Sequence, residues 1–411
     1  MPASRASHAV GAHRYIPGVM PETAATLETV EEPSIADQSS HVPSQNGMSR
    51  SNEHVAIPAA RQSGNGRSIS VPEIALDVSR RELVGDARSI PLADCSVDLV
   101  ATSPPYWRKR DYGVRDQIGQ EATPQEYVKA MLECLSEWRR VLRPTGSVFL
   151  NIGDTFHNRR LAGIPARVEA AAADDGWIIR NRIIWAKESG MPDPAKNRLA
   201  SRHEYVIHLV ISHDYYYDLY GYSQFIGNGA NPGDVWHINP RRHMGDHLAP
   251  FPTEIAERAI RLACPRRVCA ACGAPRRRIV ERTRELDPSR PQARRAMELA
   301  EAAELSDAHI AAIQATGVSD AGKALRVQNG TGRNTARVKE LAAEAKLALG
   351  GYFREFTFPR RVTAGWTSCR CKKRTEPGLV LDPFMGTGTT LDTALSLDRS
   401  AVGIDLVLPD A

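Results

Sequence analysis

Residues 97–107, VDLVATSPPYW, join a short apolar run to two consecutive prolines. The apolar residues 97–101 have the composition of a β-strand, and the prolines that follow cannot continue sheet pairing. The sequence therefore predicts a buried strand that ends in a stiff loop. A hydroxyl, rigid backbone carbonyls and an aromatic ring are carried on this loop by Ser103, Pro104, Pro105 and Tyr106.

A helix is expected soon after this loop. Thr123 is a suitable N-cap, Pro124 suits the first helical turn, and Glu126 completes a capping box. We expect this helix to continue to about residue 142. Residues 143–146, RPTG, predict a break before the next element.

Alternation of strands and helices predicts an α/β fold with a Rossmann-like sheet. A strand over 147–152 completes a strand-helix-strand unit, and a second such unit is expected near the C-terminus. The predicted elements are strands over 147–152, 178–185, 205–211, 379–381 and 401–406, and a helix over 389–397.

A glycine-rich turn, DPFMGTGTT at residues 382–390, joins the predicted strand over 379–381 to the predicted helix over 389–397. Small residues at such a turn let backbone N–H groups approach a ligand closely. About twenty residues later Asp405 ends the next strand, where a carboxylate can accept hydrogen bonds from ribose hydroxyls. An isolated G-x-G also occurs in many doubly wound folds, but the P-loop ending Gly-Lys-Ser/Thr is missing. An adenosine-containing cofactor with little or no phosphate fits best, with contacts from Asp382, Pro383, Phe384, Gly386, Gly388, Thr389, Thr390 and Asp405.

The Ser-Pro-Pro-Tyr loop has groups suited to chemistry on an amino group. An exocyclic amine is a poor nucleophile because its lone pair is delocalised into the ring, and acceptors for its two hydrogens favour a pyramidal nitrogen. Ser103 and the Pro104 carbonyl can be those acceptors, and Tyr106 offers a face on which an extruded base can stack. Alone, a Pro-Pro-aromatic sequence is more often a loop with a core aromatic. The preceding strand and the glycine-rich turn favour the catalytic interpretation.

The motifs in this order resemble the beta group of DNA amino-methyltransferases, in which the catalytic block precedes the cofactor block. The resemblance covers most of residues 83–406. It is carried by GD at 85–86, VDLV at 97–100, TSPPY at 102–106, VLRPTG at 141–146, KNR at 196–198, HEY at 203–205, HLAPFP at 247–252 and the turn at 382–390.

This resemblance implies a Rossmann-like methyltransferase sheet, S-adenosyl-L-methionine as methyl donor, and flipping of the target base from double-stranded DNA. It adds Asp86 and Phe251 to the cofactor contacts, with Phe251 in the block that touches the methionine part. In this group serine before Pro-Pro-Tyr is associated with N4 of cytosine, and Asp or Asn there with N6 of adenine. Ser103 therefore favours cytosine N4, with adenine N6 as the alternative.

Two further interpretations remain, of which the first comes from a different class of protein. One is a zinc-dependent DNA-binding protein whose methyltransferase domain is inactive. The other is methylation of RNA or of a protein glutamine by a related loop, against which the motif order and a basic insertion argue.

Seven cysteines in a cytoplasmic protein are better interpreted as thiols or metal ligands than as disulfides. The pairs Cys269, Cys272 and Cys369, Cys371 predict a four-thiolate structural zinc site, although the second pair is more tightly spaced than usual. Cys264 is a spare candidate ligand, and Cys95 and Cys134 are expected to be ordinary thiols.

The cysteine pairs lie in a stretch rich in Arg, Ala and Glu that predicts an inserted helical module over 264–375. It would divide the methyltransferase domain into a catalytic half, 68–263, and a cofactor half, 376–411, after a disordered leader over 1–67. Basic residues in the module suggest phosphate contacts, and base reading is expected there or in residues 214–245. The basic residues are Arg266, Arg267, Arg276, Arg277, Arg278, Lys372, Lys373 and Arg374.

Composition sets wide limits on function. With 42% hydrophobic and 25% charged residues, and no apolar run long enough to cross a bilayer, a membrane role is not expected. The absence of a secretory signal sequence predicts a cytoplasmic location. A net charge of +5 permits a polyanionic partner. The family resemblance implies double-stranded DNA and a cognate restriction endonuclease as partners, with the chain a monomer or dimer.

Overall fold

The fold is that of a computed structural model, which describes residues 55–56, 77–188, 193–227, 231–239, 252–283, 285–288, 290–317, 334–357 and 360–408. These residues belong to one unit spanning 53–411. Apart from Val55–Ala56, which form a short strand, the predicted leader over 1–67 lies outside the described residues. No helix in these ranges is both long and apolar enough to cross a membrane.

The strands in chain order are β1 (Val55–Ala56), β2 (Arg80–Val84), β3 (Val97–Thr102), β4 (Leu142–Ile152), β5 (Phe156–His157), β6 (Arg160–Leu161), β7 (Ile178–Ala186), β8 (His203–Val210), β9 (Val235–His237), β10 (Arg267–Cys269), β11 (Arg278–Arg282), β12 (Arg361–Ser368), β13 (Thr375–Pro377), β14 (Leu379–Asp382) and β15 (Ser400–Asp405). The helices are α1 (Pro124–Val141), α2 (Ile164–Asp174), α3 (Leu219–Ile226), α4 (Thr253–Ala263), α5 (Pro291–Ala302), α6 (Asp307–Thr316), α7 (Ala336–Leu349) and α8 (Phe353–Thr357), with a 3-10 turn at Gly350–Tyr352, and α9 (Thr389–Ser396).

Eight strands form the central sheet, in the order β2-β15-β14-β3-β4-β8-β7-β9. Neighbouring strands are parallel except around β8, which pairs antiparallel with both β4 and β7. The predicted α/β fold is therefore confirmed, and the sheet is mixed.

Helices cover both faces of the sheet, so successive residues of the inner strands enter different cores. Val100 of β3 and Leu381 of β14 pack in the core that contains α1 and α2. Leu99 and Val380 point to the other face and pack with α4 and α9. Strands covered on both faces are apolar at consecutive positions, as β3 is.

Helix α1 begins as predicted, because Thr123 and Glu126 form a reciprocal capping box. Helix α1 ends at Val141, close to the predicted end, but the predicted start of the next strand at residue 147 is wrong, since β4 begins at Leu142. Pairing between β3 and β4 shifts register after Val97, and this irregularity accommodates the Pro-Thr-Gly stretch within the strand.

The region predicted as a helical insertion also contains strands, which corrects the prediction. Helices α5 to α8 enclose a separate apolar cluster. Strands β10 and β13 pair with each other, as do β11 and β12, while β1 adds to the edge of β12. The β-branched and aromatic residues of RVTAGWTS in β12 favour a strand over a helix.

Candidate functional site

The two predicted loops leave the sheet side by side. Strands β3 and β14 are parallel neighbours, so the Ser-Pro-Pro-Tyr loop and the glycine-rich loop begin at the same sheet edge. Thr102, the last residue of β3, donates from its hydroxyl to Asp382 Oδ1 at 2.6 Å. Chain connections diverge here, since β14 leads to β15 on one side and β3 leads to β4 on the other. Such a switch point forms the ligand crevice of open α/β sheets.

The glycine-rich loop is folded against the end of β15. Gly386 adopts a φ of 49°, a left-handed conformation that favours glycine. Its N–H donates to Asp405 Oδ2 at 2.9 Å, and a Cβ built on Gly386 would contact no atom within 4 Å. The loop therefore borders open space beside the Asp405 carboxylate, which retains lone pairs for further donors.

Asp382 is buried below this loop. Its Oδ1 accepts from both the Thr102 hydroxyl and the Phe384 N–H, and burial raises its pKa to about 6 despite those hydrogen bonds. The remaining predicted cofactor residues follow in sequence: Pro383 enters the loop, Gly388 is the N-cap of α9, and Thr389 and Thr390 begin that helix.

Asp86 and Phe251 are the two predicted cofactor contacts outside the glycine-rich turn and β15. Asp86 follows β2, whose end lies beside β15, and Gly85 N–H donates to the Asp405 carbonyl at 2.9 Å. The Asp86 carboxylate forms an ion pair with Arg88, and this contact lowers the Asp86 pKa. Phe251 lies outside the described residues.

The Ser-Pro-Pro-Tyr loop holds its polar atoms in a hydrogen-bonded cluster. The hydroxyls of Ser103 and Tyr106 are 3.3 Å apart. Asn151 Nδ2 lies 3.2 Å from Ser103 Oγ and 2.7 Å from Tyr106 Oη. Pro104 is buried, and the Pro105 carbonyl accepts from the Tyr127 hydroxyl at 3.0 Å. The loop is thus fixed at both its backbone and its side chains.

The Tyr106 hydroxyl is held by a carboxylate. Its hydroxyl donates to Glu204 Oε2 at 2.5 Å, and burial, then Glu204, raise the Tyr106 pKa well above its ordinary value. Asn151 Nδ2 also approaches Glu204 Oε2, at 3.1 Å, while Lys187 pairs with Glu204 Oε1. A Cβ on Gly153 would lie 2.6 Å from the Tyr106 ring, so a side chain there would displace the ring.

Sequence reasoning did not assign roles to the residues that support this loop. Glu204 was present in the HEY motif but had no predicted function, and Asn151 and Lys187 were not singled out. Asn151 is the polar residue in the otherwise apolar run over 148–152 at the end of β4, which was the available signal. Lys187 gave no comparable signal because its partner is defined only by the pairing of β7 with β8.

The four predicted zinc ligands lie together. One sulfur from each of Cys269, Cys272, Cys369 and Cys371 lies within 4.8 Å of the others. A tetrahedral zinc ion with Zn–S bonds of about 2.3 Å places its sulfurs about 3.8 Å apart, so the donor set suits this ion. Strand pairing explains the approach, because Cys269 of β10 lies opposite Thr375 of β13.

Several basic residues predicted to contact phosphate form ion pairs within the chain. Arg266 contacts Asp398, Arg277 contacts Asp214, and Arg278 contacts Asp218. These ion pairs join the region over 264–375, which we call the cysteine module, to the rest of the protein. Exposed basic residues of the predicted set follow the second cysteine pair: Lys372, Lys373 and Arg374.

Comparison with known families agrees with the motif order. Residues 97–267 and 372–407, just over half of the chain, match the DNA methylase family of N6- and N4-methyltransferases. The chain therefore belongs to this family of DNA amino-methyltransferases. Residues 268–371 fall outside the match.

Type II methyltransferases are among the similar proteins. The chain is 33% identical over 204 residues to M.Cfr9I of Citrobacter freundii, covering 42% of this chain and 68% of that protein. It is 32% identical over 209 residues to M.SmaI of Serratia marcescens, covering 42% and 72%. A solved structure, PvuII DNA methyltransferase (cytosine-N4-specific), is 15% identical with a TM-score of 0.46, covering 81% of this chain and 83% of that chain.

Proposed function

We propose that this DNA methyltransferase transfers a methyl group from S-adenosyl-L-methionine to N4 of a cytosine extruded from double-stranded DNA. The observation that carries the proposal is the junction of the two loops, where Thr102 bonds to Asp382 and brings Ser103 beside the glycine-rich loop. A donor held by one loop and an acceptor held by the other would meet in that crevice.

Cofactor binding is assigned to the open side of the glycine-rich loop. S-adenosyl-L-methionine supplies a methyl group that is electrophilic because it is bonded to a sulfonium. The Asp405 carboxylate is suited to the ribose hydroxyls, and the free space at Gly386 admits the ligand close to the backbone. Asp86, Phe251, Asp382, Pro383, Phe384, Gly388, Thr389 and Thr390 complete the proposed cofactor contacts.

Ser103 supports cytosine as the target base. Its hydroxyl is oriented by Asn151 and retains capacity for another hydrogen bond, and the Pro104 carbonyl is the second proposed acceptor. Together they would hold the two amino hydrogens and keep the nitrogen lone pair directed at the methyl group. Tyr106, fixed by Glu204, provides the stacking face for the extruded base.

We also propose that the cysteine cluster holds a structural zinc ion through Cys269, Cys272, Cys369 and Cys371. The ion would join the segment before α5 to the segment after α8. A four-thiolate site leaves no open coordination position, so this zinc would stabilise the fold without taking part in methyl transfer.

Nucleoside analysis tests the proposed reaction. Duplex DNA is incubated with the purified chain and S-adenosyl-L-methionine, digested to nucleosides, and analysed by mass spectrometry against a reaction without the donor. N4-methyldeoxycytidine is expected only when the donor is present. Exclusive formation of N6-methyldeoxyadenosine would assign the enzyme to adenine, and loss of all DNA methylation would refute the proposed activity. Sequencing of the methylated DNA also gives the recognition site.

A further inference from the structure

A short β-hairpin rises beside the Ser-Pro-Pro-Tyr loop. Strands β5 and β6 pair antiparallel and are joined by Asn158 and Arg159, with φ values of 49° and 61°. Two consecutive residues with positive φ form a tight two-residue turn, and the twist of this turn matches the right-handed twist of the two strands that it joins. The hairpin therefore has a defined conformation.

Asp154 anchors the base of the hairpin. Its Oδ1 accepts from the N–H groups of Thr155 at 2.8 Å and Ile164 at 3.1 Å, and its Oδ2 accepts from Gly163 N–H at 3.1 Å. Ala162 N–H also donates to the Thr155 carbonyl at 2.9 Å. These bonds close the loop between β4 and α2, so the tip projects from a fixed base.

The hairpin contacts the catalytic loop directly. The rings of His157 and Trp107 meet edge to face, with centroids 5.2 Å apart, and Trp107 follows Tyr106 in the chain. At its base, Gly153 allows the Tyr106 ring to pack against β4. The tip is therefore fixed relative to the residues that would hold an extruded base.

Apolar and basic side chains are exposed together on this hairpin. Phe156 is 40% exposed and Leu161 is 54% exposed, although both are large apolar residues. Arg159 and Arg160 are exposed, and no ion pair among the described residues involves them. The Arg198 guanidinium lies 3.7 Å above the Phe156 ring.

We propose that this hairpin is the wedge that opens duplex DNA next to the target base, an inference that rests on the proposed function. Arg159 and Arg160 would contact phosphates, and Leu161 with Phe156 would enter the base stack left by the extruded cytosine. Apolar side chains that separate base steps, flanked by basic residues, are an established means of deforming a duplex.

Rescue by a mispaired target separates wedging from a structural role. Extrusion of a mispaired base requires less free energy than extrusion of a paired one. Leu161→Ser is compared with wild type on a duplex that carries the mapped site and on the same duplex with the target base mispaired. We expect kcat/KM to fall at least about tenfold on the paired duplex and less than about threefold on the mispaired one. Arg159→Gln/Arg160→Gln should weaken binding to both duplexes.

Leu347→Ser in α7 is the matched control, because Leu347 is 87% exposed and lies away from the hairpin in sequence. It should leave both rates unchanged. Equal losses of kcat/KM for Leu161→Ser on both duplexes, or no loss on the paired one, would overturn the wedge proposal. Methylation by the wild-type protein in the same experiment would still support the proposed function. A wild-type protein inactive on both duplexes would remove both proposals.

Discussion

Tyr106 takes its position from a carboxylate that bonds at both of its oxygens. Glu204 accepts from Tyr106 and Asn151 through Oε2 and pairs with Lys187 through Oε1. The tyrosine ring is therefore oriented before any base arrives, which is the arrangement that favours rapid reaction in a preorganised site.

Substitutions in the two loops should affect different steps. Ser103→Ala and Tyr106→Ala should each lower turnover at least about tenfold while the Kd for S-adenosyl-L-methionine changes less than about threefold, because both residues are proposed to hold the base. Asp405→Ala should mainly weaken cofactor binding. Single-turnover rates and calorimetry measure the two quantities, with the exposed Tyr112→Ala as a control for loss of an aromatic ring. Equal effects from all three substitutions would contradict these assignments.

Glu204→Gln tests the support of the aromatic ring. A glutamine accepts at one end only, so it cannot serve Lys187 and the Tyr106–Asn151 pair at once. We expect kcat to fall at least about tenfold with the cofactor Kd within about twofold of wild type. Glu169→Gln is the matched control, since Glu169 also pairs with a basic residue, Arg182, but lies in α2. A Glu204→Gln enzyme with unchanged kcat would show that the cluster does not position the base.

Among the residues, those with local signals were predictable and those defined by sheet pairing were not. The serine and tyrosine of the loop stood out because two prolines follow a strand. Glu204 reaches Tyr106 only because β8 pairs with β4, and that order of strands is not encoded in any local pattern. Phe251 shows the opposite case, a residue named from a motif that the described structure does not include.

At the scale of elements, the position of the candidate site depends on β3 and β14, which are parallel neighbours and end side by side. Of the six strands that were predicted, five match the observed bounds within two residues, as does α1, because apolar runs and capping residues are local. The hairpin of β5 and β6 was missed because each strand has two residues, too few to show an alternating pattern. Strands in the cysteine module were missed because the Arg and Ala content of the neighbouring helices dominated the composition.

Asp382 gives this junction a pH dependence. With a pKa raised from 3.8 to about 6, the folded chain binds more protons at this group than the unfolded chain between about pH 4 and about pH 6. The free energy of unfolding should therefore fall as pH rises through that window. Asp382→Asn keeps an oxygen for Thr102 and Phe384 but removes the buried charge. It should be more stable than wild type at pH 7 by on the order of 1 to 3 kcal/mol.

Denaturant unfolding at several pH values measures this difference. The advantage of Asp382→Asn should disappear below about pH 4, because the Asp382 carboxyl of wild type is then neutral in both the folded and the unfolded chain. Asp116→Asn, at an exposed aspartate, is the control and should keep the wild-type fall in stability between about pH 4 and about pH 6, because Asp382 is unchanged. A variant that is less stable than wild type at pH 7 would show that the carboxylate is stabilised by its hydrogen bonds beyond the cost of burial.

At the scale of the whole molecule, the cysteine cluster connects distant parts of the chain. It joins residues on either side of α5 to α8, and Arg143 of β4 lies close to both Asp98 and Glu376, near the same module. Spacing alone predicted that the four cysteines lie together, whereas the short strands that bring them together required the tertiary structure.

Removal of zinc should destabilise the chain. We expect one zinc ion per wild-type chain by elemental analysis, less after Cys272→Ser, and a thermal midpoint several degrees lower in that variant. Cys95→Ser, at an exposed cysteine outside the cluster, should retain both the metal and the midpoint. A metal-free wild-type protein with unchanged stability would refute the zinc proposal.

A structure of the chain bound to a non-reactive S-adenosyl-L-methionine analogue and duplex DNA tests the central claim most directly. The measured quantity is the distance between the analogue atom that replaces the methyl-bearing sulfonium and N4 of the target cytosine. We predict an extruded cytosine between Ser103 and Tyr106 and the analogue against Gly386 and Asp405. The two atoms should be about 4 to 5 Å apart, because a methyl group on the sulfonium would then lie about 3 Å from N4. An analogue bound elsewhere, or a target base held at another surface, would contradict this prediction.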